Sequence, residues 1–398
     1  MPARAWLWLT VALTGGAFAV AVTLAPPASA APGRGLAWVL FAGSSVHVAS
    51  TGWLYTLGDV RSYAASRPLR FWWIPSALVL SGALAAAVLS PASFAWLLLP
   101  FFGWQFFHFA KQNLGMVALA ASSAGVPSPQ PAERRTLLAA GLAGAGGLIA
   151  HPALLQLRVN PRLGVLFPAA ALIFAMAVVA GVALLARRPA AQRPSGFTVM
   201  YLMALLFWVP VFVFGSPYAA VGGMTVAHGM QYLLLVGLVA AGSGARLVRL
   251  AALCNVALLG GVALEKASHL HGAAPAERLL FGAYLGAGMA HFVIDAGLWR
   301  LRDPFPRAFL ARRVPYLVPG QHPPAPRWKS SAACAAWFVP PRLVRSPIAV
   351  MTTRGCTRMD TGAGLSRACP AEPSPIVVVA GARQPAPEPR RKRCACPM

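Results

Sequence analysis

The chain has 398 residues, 58% of them hydrophobic and 11% charged, with a mean hydropathy of +0.62. Soluble domains carry roughly 25% charged residues, so a soluble globular class is excluded and a bilayer is the expected solvent. The net charge of +25 does not make a nucleic-acid binder, because the basic residues sit between apolar runs and in the tail, where they read as topology signals.

Residues 1–30 carry Arg4, an apolar stretch from Trp6 to Leu24, and Ala28-Ser29-Ala30, the pattern of a cleavable secretory signal. The stretch is also long enough to span a bilayer. An uncleaved first transmembrane helix near 6–25 is the favoured expectation, with cleavage as the alternative. Apolar runs of spanning length then recur near 35–57, 71–90, 93–121, 136–154, 165–186, 198–216, 220–241, 247–264 and 279–300. The fold expected is all-α, a polytopic transmembrane helical bundle of about ten spans, with its main body over residues 31–310.

Loop charge alternates along this chain. Arg61, Arg67 and Arg70 fall in one loop, then Arg134 and Arg135, then Arg187, Arg188 and Arg193, then Arg246 and Arg249, all on one side. The opposite loops hold only Arg34, then Arg158 and Arg162, then Lys266 and Arg278. By the positive-inside rule both termini are cytoplasmic in a multi-pass protein of the cell membrane. Arg300, Arg302 and Arg307 follow the last span as a basic stop that meets anionic headgroups. The expected partner is the lipid bilayer, with no nucleic acid.

Glycines from Gly141 to Gly147 and at Gly222-Gly223 lie inside spans, where small residues allow close helix approach. Cys254 lies alone in an apolar helix and is read as a small buried side chain. The other five cysteines, Cys334, Cys356, Cys369, Cys394 and Cys396, fall in the last 65 residues without a CxxC pair, so neither a zinc site nor a disulfide framework is indicated. Residues 311–398 turn Pro/Arg/Cys-rich and end in Arg390-Arg391-Lys392-Arg393. Such a composition buries no core. It reads as a disordered cytoplasmic tail or as the product of a shifted reading frame in GC-rich DNA.

Four of the eight histidines lie deep in spans that run in the same direction: His47, His108, His228 and His291. Each is roughly 8 to 13 residues from the cytoplasmic end, or about 12 to 20 Å at about 1.5 Å per residue, so they can meet in one layer. Polar residues accompany them at helical spacing: Ser44 and Thr51 with His47, Gln105 and Gln112 with His108, Gln231 with His228, and Tyr284 and Asp295 with His291. Asp295 and Lys111 are the mid-span acid and lysine of a chain with nine acidic residues. An ionised group at a helix centre costs about 2.5 to 3.5 kcal/mol on insertion scales, which marks each as a functional candidate.

Three explanations fit. Imidazoles from several helices, with Asp295 as ligand or orienting carboxylate, bind iron, copper or zinc. Histidines bind haem axially. Lys111 and Asp295 form a buried ion pair in a proton-coupled carrier, with the histidines relaying protons. The bland alternative is hydrogen bonding between helices, worth about 0.6 to 2 kcal/mol per contact. His151, His269 and His271 read as interfacial, and His322 belongs to the tail. The aromatic group Trp104, Phe106 and Phe107 beside His108 either lines an apolar pocket or packs, and packing is favoured.

The blocks Trp104-Gln105-Phe106-Phe107-His108-Phe109-Ala110-Lys111-Gln112-Asn113, His228-Gly229-Met230-Gln231-Tyr232 and His291-Phe292-Val293-Ile294-Asp295 resemble a group of uncharacterised bacterial multi-span proteins. More loosely, the set of intramembrane histidines is similar to that of the Brp/Blh-type carotenoid-cleaving oxygenases, although no diagnostic block of that family is present. That likeness implies a non-haem iron site and a long apolar substrate. The HxxxH and HxxHH boxes of membrane desaturases and a Walker A sequence are absent.

The leading expectation is a metal-dependent oxidative enzyme acting on an apolar substrate. His47, His108, His228 and His291 are the expected metal ligands, Asp295 a further ligand or supporting carboxylate, and Lys111 a charge-neutralising group. Gln112 and Gln231 orient or contact substrate. A proton-coupled secondary transporter and a structural membrane component are the alternatives.

Overall fold

The computed structural model describes residues 3–27, 30–159, 162–242, 244–272 and 274–319, and within these every regular element is a helix. In chain order they are α1 (Ala3–Thr23), α2 (Arg34–Phe41), α3 (His47–Leu54), α4 (Gly58–Ala65), α5 (Ile74–Val88), α6 (Pro91–Ser123), α7 (Pro131–Ala150), α8 (Leu166–Arg187), α9 (Ser195–Leu206), α10 (Val209–Val213), α11 (Gly223–Ala241), α12 (Arg246–Ser268), α13 (Pro275–Leu298) and α14 (Pro304–Arg313). Single π-helical turns, Ala42–Val46, Leu69–Trp73 and Tyr218–Gly222, run without a break into α3, α5 and α11.

Each of the ten apolar runs therefore falls on one helix or on helical pieces joined end to end. Seven stretches are long and apolar enough to cross a membrane: Ala3–Thr23, Leu69–Val88, Leu166–Arg187, Ser195–Val213, Tyr218–Ala241, Arg246–Ser268 and Pro275–Leu298. The other three carry more polar sequence. The α2–α3 stretch and α6 hold site residues, and α7 carries Glu133-Arg134-Arg135 near its start. Large apolar side chains point outward on α5 (Leu80, Val88), α8 (Leu172, Val179) and α12 (Leu247, Leu259). An outward surface so apolar fits lipid contact better than water.

Local chemistry explains the helix ends. Proline stands in the first turn of α6, α7, α13 and α14, where its missing N–H has no intrahelical partner to lose. The Ser90 side chain accepts from the Ser93 N–H at 3.1 Å and caps α6. Pro210 interrupts the seventh apolar run, separating α9 from α10 at Phe207 and Trp208. At the start of α7, Glu133 accepts from the Gln130 N–H at 2.6 Å and pairs with Arg188 at 3.1 Å, both side chains buried. Arg188 also donates to the Pro127 carbonyl and lies 4.4 Å above the Phe197 ring. This arginine thus ties the ends of α7, α8 and α9 together, a role beyond loop charge.

One close approach positions the site. A Cβ on Gly229 of α11 would collide with the backbone of Gly43, and a Cβ on Gly43 would collide with Val226. Only hydrogens fit there, so the π-helical turn Ala42–Val46 lies flat on α11. His47 directly follows that turn and His228 directly precedes Gly229.

One expectation changes. Cys254 is exposed, because the packed face of α12 is Leu253, Ala257 and Gly261 and the next residue lies about 100° away, given 3.6 residues per turn. The packed chain also runs past residue 310: Ala311, Val314, Leu317 and Val318 are buried, and Arg313 of α14 pairs with Asp59 of α4 at 3.0 Å. Residues 28 and 29 of the signal-like segment, and the tail from Gly320 with His322 and its five cysteines, lie outside the described residues.

Candidate functional site

His47, His108, His228 and His291 come from α3, α6, α11 and α13, and all four are buried in one cluster. Their rings close a square with edge-to-face neighbours. Centroids are 5.1 Å apart for His47 and His228, 5.0 Å for His228 and His108, 5.3 Å for His108 and His291, and 5.0 Å for His291 and His47. Phe109 stacks on His228 at 4.0 Å and Phe292 on His108 at 4.6 Å, which holds two of the rings in plane.

A second polar layer lies one helical turn further along each chain. Thr51, Gln112, Tyr232 and Asp295 each follow a site histidine by four residues, which puts each on its histidine's face. Tyr232 donates its hydroxyl to Asp295 Oδ1 at 2.9 Å. A phenol has one proton, so in the 2.9 Å contact between Thr51 and Tyr232 the threonine is the donor. Thr51 then has no proton left and accepts from His291 Nδ1 at 2.6 Å. The network thereby assigns His291 as the Nδ1–H tautomer with a lone pair on Nε2.

That Nε2 lies 3.5 Å from Asp295 Oδ2, and His108 Nε2 lies 4.0 Å from the same oxygen. Buried polar atoms in folded proteins have partners with few exceptions. Here His291 Nε2, Asp295 Oδ2, His108 Nε2, and both ring nitrogens of His47 and of His228 are buried without a hydrogen bond of normal geometry. Two lone-pair atoms facing each other in a low-dielectric interior are relieved by a cation between them or by a proton on the carboxyl. The ligand atoms meet the spacing for one: those of His47, His228 and His291 lie within 4.8 Å of one another, as do those of His108, His291 and Asp295. The residues present fit a transition-metal ion, since imidazole with one carboxylate is a donor set for iron, copper and zinc.

The remaining candidates sit beside this cluster. Gln112 donates to the His228 carbonyl at 2.9 Å and to Gln231 Oε1 at 3.1 Å, and Gln231 donates to Thr14 of α1 at 2.9 Å. The glutamines tie α6, α11 and α1 together below the rings. Lys111 is exposed, 5.9 Å from the Phe107 ring, and forms no ion pair with Asp295 among the described residues. Ser44 bonds within its own helix, to the Leu40 carbonyl at 2.7 Å. Tyr284 lies against Phe281, two turns before His291.

A cavity of about 570 Å³ ends on the cluster. His108, Gln112, Gln231, Tyr232 and Asp295 form part of its wall, Trp104, Phe107, Leu235 and Phe292 another part, and Lys111, Arg134, Arg300 and Arg302 also line it. The aromatic group around His108 therefore divides: Phe106 packs in the core, while Trp104 and Phe107 face the cavity. His151, His269 and His271 lie apart from the site, His269 paired with Glu265 at 3.2 Å and His271 near Phe281.

Thr51 and Tyr232 are the residues whose roles sequence reasoning missed. Tyr232 falls four residues after His228, a spacing that pairs it with that histidine as directly as Asp295 with His291. No protein-family description, no curated protein and no solved structure matches this chain.

Proposed function

We propose that the chain is a metal-dependent membrane enzyme, oxidative in its chemistry, whose ion is held by His47, His108, His228, His291 and Asp295 and whose substrate has a long apolar part. One observation carries this reading: five side chains from four helices form two triads at ligand spacing, His47 with His228 and His108 with Asp295, which share His291, and the five carry unpartnered buried nitrogen or oxygen atoms. Iron, copper and zinc all suit such donors. The bound ion would supply Lewis-acid or redox chemistry where the cavity meets His108 and Asp295. The chain's own residues bind and orient: Thr51 and Tyr232 fix the tautomer of His291 and one oxygen of Asp295. Rings whose centroids are 5.0 to 5.3 Å apart leave no slot for a macrocycle between them, which favours an ion over haem. The carrier reading loses its main support, the Lys111–Asp295 pair.

The same proposal places ten spans in the cell membrane with both termini cytoplasmic, on the alternation of loop arginines. Elemental mass spectrometry of detergent-purified full-length protein, beside a His108→Ala/His291→Ala variant, tests the metal. Near-stoichiometric iron or copper is expected in the wild type and its loss in the variant, whereas zinc, which has no redox chemistry, would overturn the oxidative part of the reading. A folded wild type without metal would overturn the reading.

A further inference from the structure

The cavity that ends on His108 and Asp295 is two-sided in chemistry. Its wall of Trp104, Phe107, Leu119, Leu235 and Phe292 is apolar, yet four cations also line it: Lys111, Arg134, Arg300 and Arg302. Against these, Asp295 is the one acidic lining residue, and it belongs to the ion site. Asp303 stands 3.9 Å from both Arg300 and Arg302, too far for a tight pair, and does not line the cavity. All four cations are exposed, and three of them lie at the ends of spans, where Arg134 opens α7 and Arg300 and Arg302 follow α13. A wholly hydrocarbon substrate would gain nothing from them. Phe107 is 41% exposed, so the apolar wall reaches the surface of the molecule.

We propose that this cavity takes a single-chain amphiphile with an anionic head, a long-chain carboxylate or a single-chain phosphate. The head meets Lys111, Arg134, Arg300 and Arg302, and the chain lies along the aromatic wall with an interior carbon beside His108 and Asp295. Guanidinium and ammonium groups make strong charge-assisted hydrogen bonds to such heads, and the arginines sit where a head leaves the hydrocarbon layer. A volume of about 570 Å³ lies within the range of pockets that hold one drug-sized ligand, roughly 300 to 1,000 Å³, which favours one chain over a two-chain phospholipid. Anchoring the head also sets which carbon reaches the ion. The inference rests on the metal-enzyme reading only for that last statement, because head recognition needs no ion.

Displacement of a fluorescent long-chain fatty acid from the detergent-purified full-length protein tests it. Competitors are the unlabelled acid, a lysophosphatidate, the alcohol of equal chain length and a two-chain anionic phospholipid. The acid or the lysophosphatidate is expected to compete at least about tenfold better than the alcohol, and whichever of the two does so identifies the head. Lys111→Gln and Arg300→Gln/Arg302→Gln are expected to erase that preference while leaving alcohol binding unchanged. Equal competition by acid, phosphate and alcohol would overturn the proposal, as would preference retained in both variants. Competition by the two-chain phospholipid as strong as by the single-chain ligands would also overturn it, marking a lipid-coated surface instead. Should the variants fail to fold, the wild-type series decides alone. Metal content of the same preparation separates the two ideas: metal without head preference sinks this inference only, and head preference without metal sinks only the enzyme reading.

Discussion

Thr51 and Tyr232 govern what His291 offers to the site. Their three linked hydrogen bonds, from His291 Nδ1 through Thr51 and Tyr232 to Asp295 Oδ1, hold one ring nitrogen protonated and leave the other for an ion. Partners of this kind are typically worth 10 to 100-fold in metal affinity. Tyr232→Phe and Thr51→Val are each expected to weaken metal retention by about that factor without unfolding the protein, whereas Thr51→Ser keeps it. Chelator competition on the purified variants checks this, and unchanged retention in both would show that the network does not orient His291.

At the scale of the element, the contact between α11 and the π-helical turn before α3 determines whether His47 and His228 face each other. π-helical turns recur at functional sites because one extra residue re-aims the side chains that follow. Here such turns precede both α3 and α11, which carry His47 and His228. Gly229→Ala is expected to destabilise by about 1 to 3 kcal/mol, the usual cost of overpacking, and to lower metal retention. Gly237→Ala on the same helix, where a Cβ meets nothing within 4 Å, is expected to be neutral or slightly stabilising. Thermal unfolding of the two variants in detergent distinguishes them, and equal behaviour would mean that α11 can shift to relieve the contact. The buried Glu133–Arg188 pair fastens three helix ends. Removing one partner of such a pair typically costs about 3 to 5 kcal/mol, so Glu133→Gln should lower the midpoint of chemical unfolding well below that of the wild type.

For the whole molecule, the number of crossings can be read from which loops share a side. In a cysteine-free background, single cysteines at Ser93 and Gln156 are expected to react with a membrane-impermeant reagent from one side, and cysteines at Ser128 and Gln192 from the other. If only the seven most apolar stretches cross, Ser93, Ser128 and Gln156 fall on the same side, and the ten-span reading fails.

Much of this architecture was legible in the amino-acid sequence, because hydropathy and helical periodicity are local properties. Each apolar run lies on a helix, and the polar residues four positions after His47, His108 and His291 were visible as shared faces. The spacing of His228 to Tyr232 carries the same signal, and Gln231 beside it shares that face. The Cys254 expectation failed because which side of a helix is packed depends on neighbours distant in the chain, as does the burial of a short apolar segment such as Val314 to Val318. The sequence by itself determined an all-helical chain of membrane-like composition with four histidines inside apolar runs. Only the tertiary structure decided that four imidazoles close one ring, that Lys111 lines the same cavity as Asp295 without an ion pair to it, and that Tyr232 joins Thr51 to Asp295. Those relations arise where helices from opposite ends of the chain come together through side-chain packing, and no local pattern encodes that packing.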